Sequence, residues 1–289
     1  MNNTKNLSPW LWVPTLYFAE GIPYFLVNNI SVMMFAKLGV PNGQMALFTS
    51  LLYLPWTIKP LWSPFVDIIK TKRWWILTMQ MLMTAAMVLL TLTLPKPDAA
   101  LIASGETPMS MFTFTLILFI ITAFASATHD IAADGFYMLA LSQKNQAAFV
   151  GIRSTFYRLS SIFGQGVLVA IAGLIETRTG NIPASWRMTL MISAILFAAV
   201  TLYHTFFIPK PAADTSHLKA DTGNKAKEIF KEFGRTFATF FTKPGVLLVI
   251  VFMLLYRLPE AFLIKMCMPF LVASSLDRKS GSAGMPRPI

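Results

Sequence analysis

The sequence predicts an all-α membrane protein, a bundle of six transmembrane helices followed by a seventh. Its composition is the first reason: of 289 residues, 55% are hydrophobic and 13% are charged, and the mean hydropathy is +0.59. A soluble domain is about one-quarter charged. The second reason is that several apolar runs reach the roughly 20 residues that cross a hydrocarbon core about 30 Å thick. We therefore expect a polytopic protein that lies in the lipid bilayer.

Hydropathy predicts seven spans, numbered here 1 to 7, at roughly 9–37, 44–69, 74–94, 111–141, 148–174, 186–208 and 244–272. Residues 1–208 would form a six-helix N-terminal half. Residues 209–243 would form a charged linker, in which 224–241 has the spacing of an amphipathic helix on the membrane surface. Span 7 would begin a second half, and 273–289 would be a tail outside the membrane.

The distribution of Lys and Arg predicts the orientation. Thirteen of them fall on one predicted side, seven of these in the linker, and four fall on the other: Lys37, Lys96, Arg178 and Arg187. Because basic residues mark cytoplasmic loops, the N-terminus and the linker are predicted to be cytoplasmic. The same bias explains the net charge of +11 without a nucleic-acid partner. The single cysteine, Cys267, forms no disulfide framework and has no metal-ligand spacing, and we expect no cofactor.

Ionisable residues lie inside the predicted spans, where each costs several kcal/mol and is by default a functional candidate. Four of them lie about ten or eleven residues from the predicted cytoplasmic end of their span: Glu20, Lys59, Asp130 and Arg158. That distance is about 15 Å, which is close to the bilayer midplane. An acid in span 1 and a base in span 2 are followed by an acid in span 4 and a base in span 5, as in an internal repeat. The candidates for substrate binding and proton coupling are Glu20, Lys59, Asp130, Asp134, Arg158, Arg257 and Glu260.

The stretch "ATHDIAADGF" places Asp130 and Asp134 four residues apart on one helix face. A carboxyl group balanced between a low dielectric and a nearby cation can carry a proton, and Lys59 and Arg158 are the available counter-charges. Two alternatives remain open. The charges could form a buried structural pair, or His129, Asp130 and Asp134 could form the metal or acid–base site of an intramembrane enzyme.

Span 2 reads "LPWTIKPLWSPFVD", with prolines at 55, 60 and 64 that should kink it. Asp67 at its cytoplasmic end precedes Lys72 and Arg73. These residues either anchor the loop by its positive charge or form a charge latch between helix ends that gates the transporter.

Four segments carry a family resemblance: "LPWTIKPLWSPFVD", "ATHDIAADGF", "YRLSSIFGQG" and "LLYRLPEAF". They resemble the AmpG-type permeases of the major facilitator superfamily, which include anhydromuropeptide importers and have acetyl-CoA transporters as relatives. The superfamily's loop signature is degenerate here, because Ser63 stands at its first glycine and Ile68 at its arginine, while Asp67, Lys72 and Arg73 fit. The resemblance implies a major-facilitator-type bundle, which imports by rocking two six-helix halves.

The resulting functional prediction is a proton-coupled secondary transporter, not an enzyme, in the bacterial inner membrane. Its partners would be protons and a polar or anionic solute, with anhydromuropeptide first and an acetyl-CoA-like or other anionic solute as the alternative. The ending "SSLDRKSGSAGMPRPI" contains no further hydrophobic segment. We therefore expect a truncated or frameshifted permease that needs a second half, or another oligomer partner, for activity.

Overall fold

The computed structural model describes residues 7–215, 225–249, 251–252 and 255–256. Throughout these ranges the regular structure is helical, with no strand. Within them, four helices are long and apolar enough to cross a membrane: Lys72–Thr93, Met109–Ala140, Gln143–Thr179 and Ile182–Phe207. These helices correspond to spans 3 to 6, and the predicted all-α class is confirmed.

Span 1 is a helix whose hydrogen-bonding pattern changes midway. An α-helix over Val13–Phe25 leads into a π-helical turn over Leu26–Ile30 and then into a second α-helix over Ser31–Lys37. Pro23, inside the first segment, has no N–H to donate to the helix. π-Helical turns are rare in proteins, and those that do occur are often found at functional sites. This one directly follows the helix that carries Glu20.

Span 2 is broken into four pieces, as its prolines predict. The pieces are Asn42–Leu52, Leu54–Thr57, a 3₁₀ turn over Lys59–Leu61, and Ser63–Ile69. Each of the last three pieces has a proline in its first two positions. Proline is tolerated there because the first turn of a helix leaves its N–H groups unbonded, whereas it cannot continue a preceding helix. The breaks place Lys59 at the start of a short turn and not inside a regular helix.

Spans 3, 5 and 6 begin at polar caps. Thr71 accepts a hydrogen bond from the Trp74 N–H at 3.2 Å, Ser142 from Asn145 at 3.4 Å, and Asn181 from Ala184 at 2.9 Å. Each cap satisfies one of the free N–H groups of a helix start. Span 5 also contains a π-helical segment, Ile162–Leu168, which packs against the π-helical turn of span 1.

The spans pack around span 4. Span 3 packs against spans 4 and 6, and span 1 packs against spans 4 and 5. A large apolar cluster fills the bundle, and a smaller one lies at the end that holds the N-terminus. Their largest fully buried aromatic side chains are Trp12, Tyr17, Phe35, Phe112, Phe119, Phe136, Trp186 and Phe197.

Gly21 allows spans 1 and 5 to approach each other. A Cβ atom at this position would lie 1.8 Å from Ser160 Oγ and 2.9 Å from Ser160 Cβ. We expect Gly21→Ala to lower the melting temperature of the purified protein, by the equivalent of about 1–3 kcal/mol for an overpacked contact. Gly43→Ala is the control, since its Cβ would meet nothing within 4 Å. Equal melting temperatures for both variants would contradict the close approach.

The linker contains a helix over Lys225–Thr242, in the segment for which the sequence predicts one. The chain divides into two compact units, Met1–Lys225 and Ala226–Ile289. Residues 216–224, most of span 7 and the tail at 273–289 lie outside the described residues, as do Arg257, Glu260 and Lys265. The predicted domain boundaries and the membrane-surface position of the linker helix stay predictions.

Candidate functional site

Four spans line one cavity of about 220 Å³. Spans 1, 2, 4 and 5 contribute to it, and it contains three of the ionisable residues that the sequence places near the midplane. We call it the central cavity. Its lining residues are Glu20, Tyr24, Tyr53, Trp56, Lys59, Asp130 and Tyr157.

Lys59 and Asp130 form an ion pair in the central cavity, joining span 2 to span 4. The Lys59 side chain is 30% exposed and the Asp130 side chain 14% exposed. The break in span 2 just before Pro60 frees this region from regular helical geometry. The expectation that Lys59 is a counter-charge of the span 4 acids is therefore confirmed for Asp130.

Glu20 lies in the same cavity without a cation of its own. The residue is only 9% exposed, and its Oε2 atom has no hydrogen-bond partner among the described residues. The central cavity therefore holds two carboxyl groups, those of Glu20 and Asp130, and a single ammonium group, that of Lys59. Two ionised carboxylates and one cation would leave a net negative charge in a low-dielectric site, which is costly unless a proton or a ligand cation neutralises it.

Asp134 does not share the partner of Asp130, and its cation is not the predicted one. The Arg153 guanidinium lies 2.6 Å from Asp134 Oδ1, and the Tyr17 hydroxyl donates to the same oxygen at 3.0 Å. Arg153 also lies over the rings of Tyr17 and Tyr137, at 4.4 Å and 5.1 Å from their centroids. Arg153 is one of the thirteen basic residues that were assigned above to one predicted side, and the structure pairs it with Asp134 of span 4.

Arg158 was predicted to be a counter-charge, and the structure does not bring it to either aspartate. Its side chain is exposed and makes no ion pair or hydrogen bond among the described residues. The turn and a half between Arg153 and Arg158 puts them on different faces of span 5, and only Arg153 faces span 4. Arg158 is thus an unpaired guanidinium inside a predicted membrane span.

The side chain of His129 points away from those of Asp130 and Asp134, so these three residues do not form one site. It is fully buried and contacts Gln80 of span 3, with 3.0 Å between Gln80 Nε2 and His129 Nε2. Asp130 instead pairs with Lys59, and Asp134 pairs with Arg153. Among the described residues no group of His, Cys, Asp and Glu side chains could hold a metal ion.

Sequence reasoning missed the aromatic lining of the central cavity. Tyr24 meets Trp56 edge to face at 5.1 Å, Tyr53 stacks on Trp56 at 6.4 Å, and Tyr24 lies 6.3 Å from Tyr157. Spacing was the available signal. Tyr24 follows Glu20 by four residues on the same helix and shares its face, and Trp56 precedes Lys59 by three residues across the break in span 2.

The three predicted gating residues lie at the ends of spans 2, 3 and 6 that the sequence predicts to be cytoplasmic. Lys72 forms an ion pair with Asp67. Arg73 donates to the carbonyl oxygens of Ile208 and Thr205, at 3.1 Å and 2.9 Å. The arrangement joins helix ends, as the latch hypothesis expects, although its role in gating stays a prediction.

Asp214, which the sequence did not single out, completes this cluster. Its carboxylate accepts hydrogen bonds from the backbone N–H groups of Lys72 at 2.6 Å and Arg73 at 2.9 Å. A carboxylate at a helix start is favoured by the free N–H groups and by the helix dipole. The beginning of the linker is thereby attached to span 3.

Comparisons with known proteins agree with this architecture. The Major Facilitator Superfamily domain matches residues 15–276. A transporter of Rickettsia felis named AmpG 4 is 24% identical over 269 residues, which cover 89% of this chain and 58% of that protein. The anhydromuropeptide permease of Escherichia coli K12 is 24% identical over 264 residues, which cover 89% of this chain and 47% of the permease.

The chain therefore spans about half the length of the curated relatives it matches. The domain match extends over most of the chain and includes every residue that lines the central cavity. Apolar helices, a charged cavity inside the bundle and this match lead to one assignment. The chain is a multi-pass membrane protein that belongs to the major facilitator superfamily of transporters.

Proposed function

We propose that residues 1–208 form the N-terminal half of a proton-coupled importer in the bacterial inner membrane, with the N-terminus and the linker in the cytoplasm. The observation that supports this most strongly is the charge of the central cavity, where Glu20 and Asp130 face one ammonium group. One carboxyl group is in excess. A proton that neutralises it in one orientation of the transporter and leaves in the other would couple import to the proton gradient.

Glu20 is the proposed proton carrier, and the Lys59–Asp130 pair is its switch. While Lys59 is paired with Asp130, Glu20 is the carboxyl group without a cation. Movement of Lys59 toward Glu20 would stabilise the ionised form of Glu20 and release its proton. The alternative, a purely structural pair, has no need of a second carboxyl group beside it.

The proposed substrate is an anhydromuropeptide, the solute in the name of the Escherichia coli relative. The aromatic rings of Tyr24, Trp56 and Tyr157 lie beside the charged groups of the central cavity, so the cavity offers both flat ring faces and polar groups to a solute. Arg158 would bind a carboxylate of the peptide, since its guanidinium has no protein partner among the described residues. An acetyl-CoA-like anionic solute is the second candidate, because Arg158 suits its phosphates equally well.

Transport would require a second half that rocks against the first, as the family resemblance implies. Arg257 and Glu260, in predicted span 7, are proposed to face the substrate from the start of that half. The contacts of Asp67, Lys72 and Arg73 join the cytoplasmic ends of spans 2, 3 and 6 within the first half, and they would break and re-form as these helix ends shift during gating.

The test uses the 289-residue chain and its Glu20→Gln variant, in vesicles from a strain without its own permease. Labelled anhydromuropeptide uptake is measured with and without a pH gradient, and binding to the purified chain is measured in weakly buffered solution with a pH-indicator dye. We expect binding to be accompanied by proton exchange that Glu20→Gln abolishes. Proton exchange that persists in Glu20→Gln would reject Glu20 as the carrier, and uptake indifferent to the gradient would reject coupling.

A further inference from the structure

A buried polar network joins four spans beside the central cavity. Gln80 of span 3 lies between His129 of span 4 and His204 of span 6, and His204 in turn contacts Thr15 of span 1. Gln80, His129 and His204 each have 0% of their surface exposed. Such a network is costly unless its members satisfy one another, and no function assigned above uses Gln80 or His204.

The partners determine which ring nitrogens carry hydrogen. The Thr15 hydroxyl donates to the Trp12 carbonyl oxygen at 3.2 Å, so it must accept from His204 Nε2 at 3.0 Å. Neutral His204 then presents an unprotonated Nδ1. That atom lies 2.9 Å from the Gln80 amide nitrogen and 3.1 Å from the Gln80 amide oxygen, and an unprotonated nitrogen can accept only from the amide nitrogen. The hydrogen positions follow from this chain of partners, as they do for any side-chain amide or imidazole.

The second amide hydrogen of Gln80 is left for His129. His129 Nε2 lies 3.0 Å from the same amide nitrogen and accepts from it, so the hydrogen of neutral His129 is on Nδ1. That Nδ1 is buried and has no partner among the described residues. The arrangement therefore leaves one donor of His129 unsatisfied to keep both rings bound to a single amide group.

The network fixes the rotation of span 4 about its own axis. His129 directly precedes Asp130, and consecutive residues of an α-helix point about 100° apart. While His129 is held toward spans 3 and 6, Asp130 is turned toward Lys59 and the central cavity. A rotation of span 4 that broke the network would also move Asp130 away from Lys59.

We propose that Gln80 is a positioning residue of the transport site: its amide group donates one hydrogen to His129 and one to His204, and thereby holds Asp130 in the central cavity. The inference rests on the proposed role of Asp130. Neither of its tests measures transport or proton exchange, so their failure is distinguishable from failure of the proposed function.

The first test determines the tautomers in the unmodified network. The sequence has three histidines, His129, His204 and His217, so a His217→Gln chain with ¹⁵N-labelled histidine in lipid nanodiscs gives two ring systems. We expect one ring with hydrogen on Nδ1 and one with hydrogen on Nε2, and Gln80→Leu should alter both. Two rings with hydrogen on Nε2, or spectra unchanged by Gln80→Leu, would overturn the proposal.

The second test measures the position of span 4. The background variant is Cys267→Ser, into which Lys59→Cys and Asp130→Cys are introduced together. A short bifunctional thiol reagent then cross-links the two cysteines. Because these substitutions remove the ion pair, the Gln80 network alone determines the rotation of span 4. We expect Gln80→Leu to lower the cross-linking yield several-fold, and Gln165→Leu, in span 5, to leave it unchanged. The control pair is Lys37→Cys with Glu176→Cys, whose native side chains lie 2.9 Å apart. A yield that Gln80→Leu leaves unchanged, or an equal loss at the control pair, would overturn positioning by Gln80.

Discussion

Lys59→Met is expected to lower the melting temperature of the chain more than any other single substitution in the central cavity. It leaves the carboxyl groups of Asp130 and Glu20 facing each other without a cation. Removal of one partner from a buried ion pair costs about 3–5 kcal/mol, because the other charge stays buried and unpaired. The Lys59 side chain is 30% exposed, so we expect a loss near the lower end of that range.

The double variant Lys59→Met with Asp130→Asn should recover most of this loss, because it removes the unpaired charge together with its partner. Fluorescence-detected melting of the four chains, from wild type to double variant, gives the coupling between the two sites. Lys37→Met is the matched control. Its pair with Glu176 is exposed, and such pairs contribute about 0–1 kcal/mol. If the double variant were no more stable than Lys59→Met, the unpaired charge of Asp130 would not be the cause of the lost stability.

Arg158→Gln is expected to leave the melting temperature unchanged. It should weaken the binding of an anionic solute by about tenfold to a hundredfold, because a hydrogen bond to a charged group contributes about 1.5–3 kcal/mol. The structural reason is that Arg158 has no protein partner among the described residues and can therefore give its whole guanidinium to a ligand. Arg153→Gln should lower the melting temperature and leave the binding of the solute unchanged. It removes the cation of Asp134 and the contacts with Tyr17 and Tyr137, and so should destabilise the protein.

The two variants form a matched pair, because both replace an arginine of the same helix with the same residue. Equilibrium binding of labelled anhydromuropeptide and of acetyl-CoA, with melting curves on the same samples, separates the two effects. The stronger ligand identifies the substrate class. A melting temperature lowered as much by Arg158→Gln as by Arg153→Gln would assign Arg158 a structural role, and unchanged binding would remove it from substrate recognition.

Several features of the fold could be predicted because they depend on local chemistry. Length and hydropathy of the apolar runs predicted spans 3 to 6, which the structure contains. Prolines at 55, 60 and 64 predicted the breaks in span 2, since proline removes a backbone donor wherever it occurs. The depth of Glu20, Lys59 and Asp130 along their spans predicted that these side chains could meet, and they line one cavity.

The partners of the charges could be predicted only in part. Depth allowed both Lys59 and Arg158 as counter-charges, and the choice depends on how each helix is rotated about its axis. Arg153 was overlooked because it lies near the predicted end of span 5, where a basic residue is common for topological reasons. Asp214, Gln80 and His204 left no pattern in the sequence, since each acts on residues more than a hundred positions away or on another span.

The sequence by itself determined that this protein is a bundle of membrane helices with ionisable groups at one depth, and which helices are broken. Those properties follow from transfer of side chains into lipid and from backbone hydrogen bonding, which each segment expresses alone. The tertiary structure decided which acid binds which base, that Glu20 is left without a cation of its own, and that Gln80 bridges two histidines. Helix rotation and close approach, as at Gly21 against Ser160, arise only when all the spans pack together, because each contact depends on side chains from several helices at once.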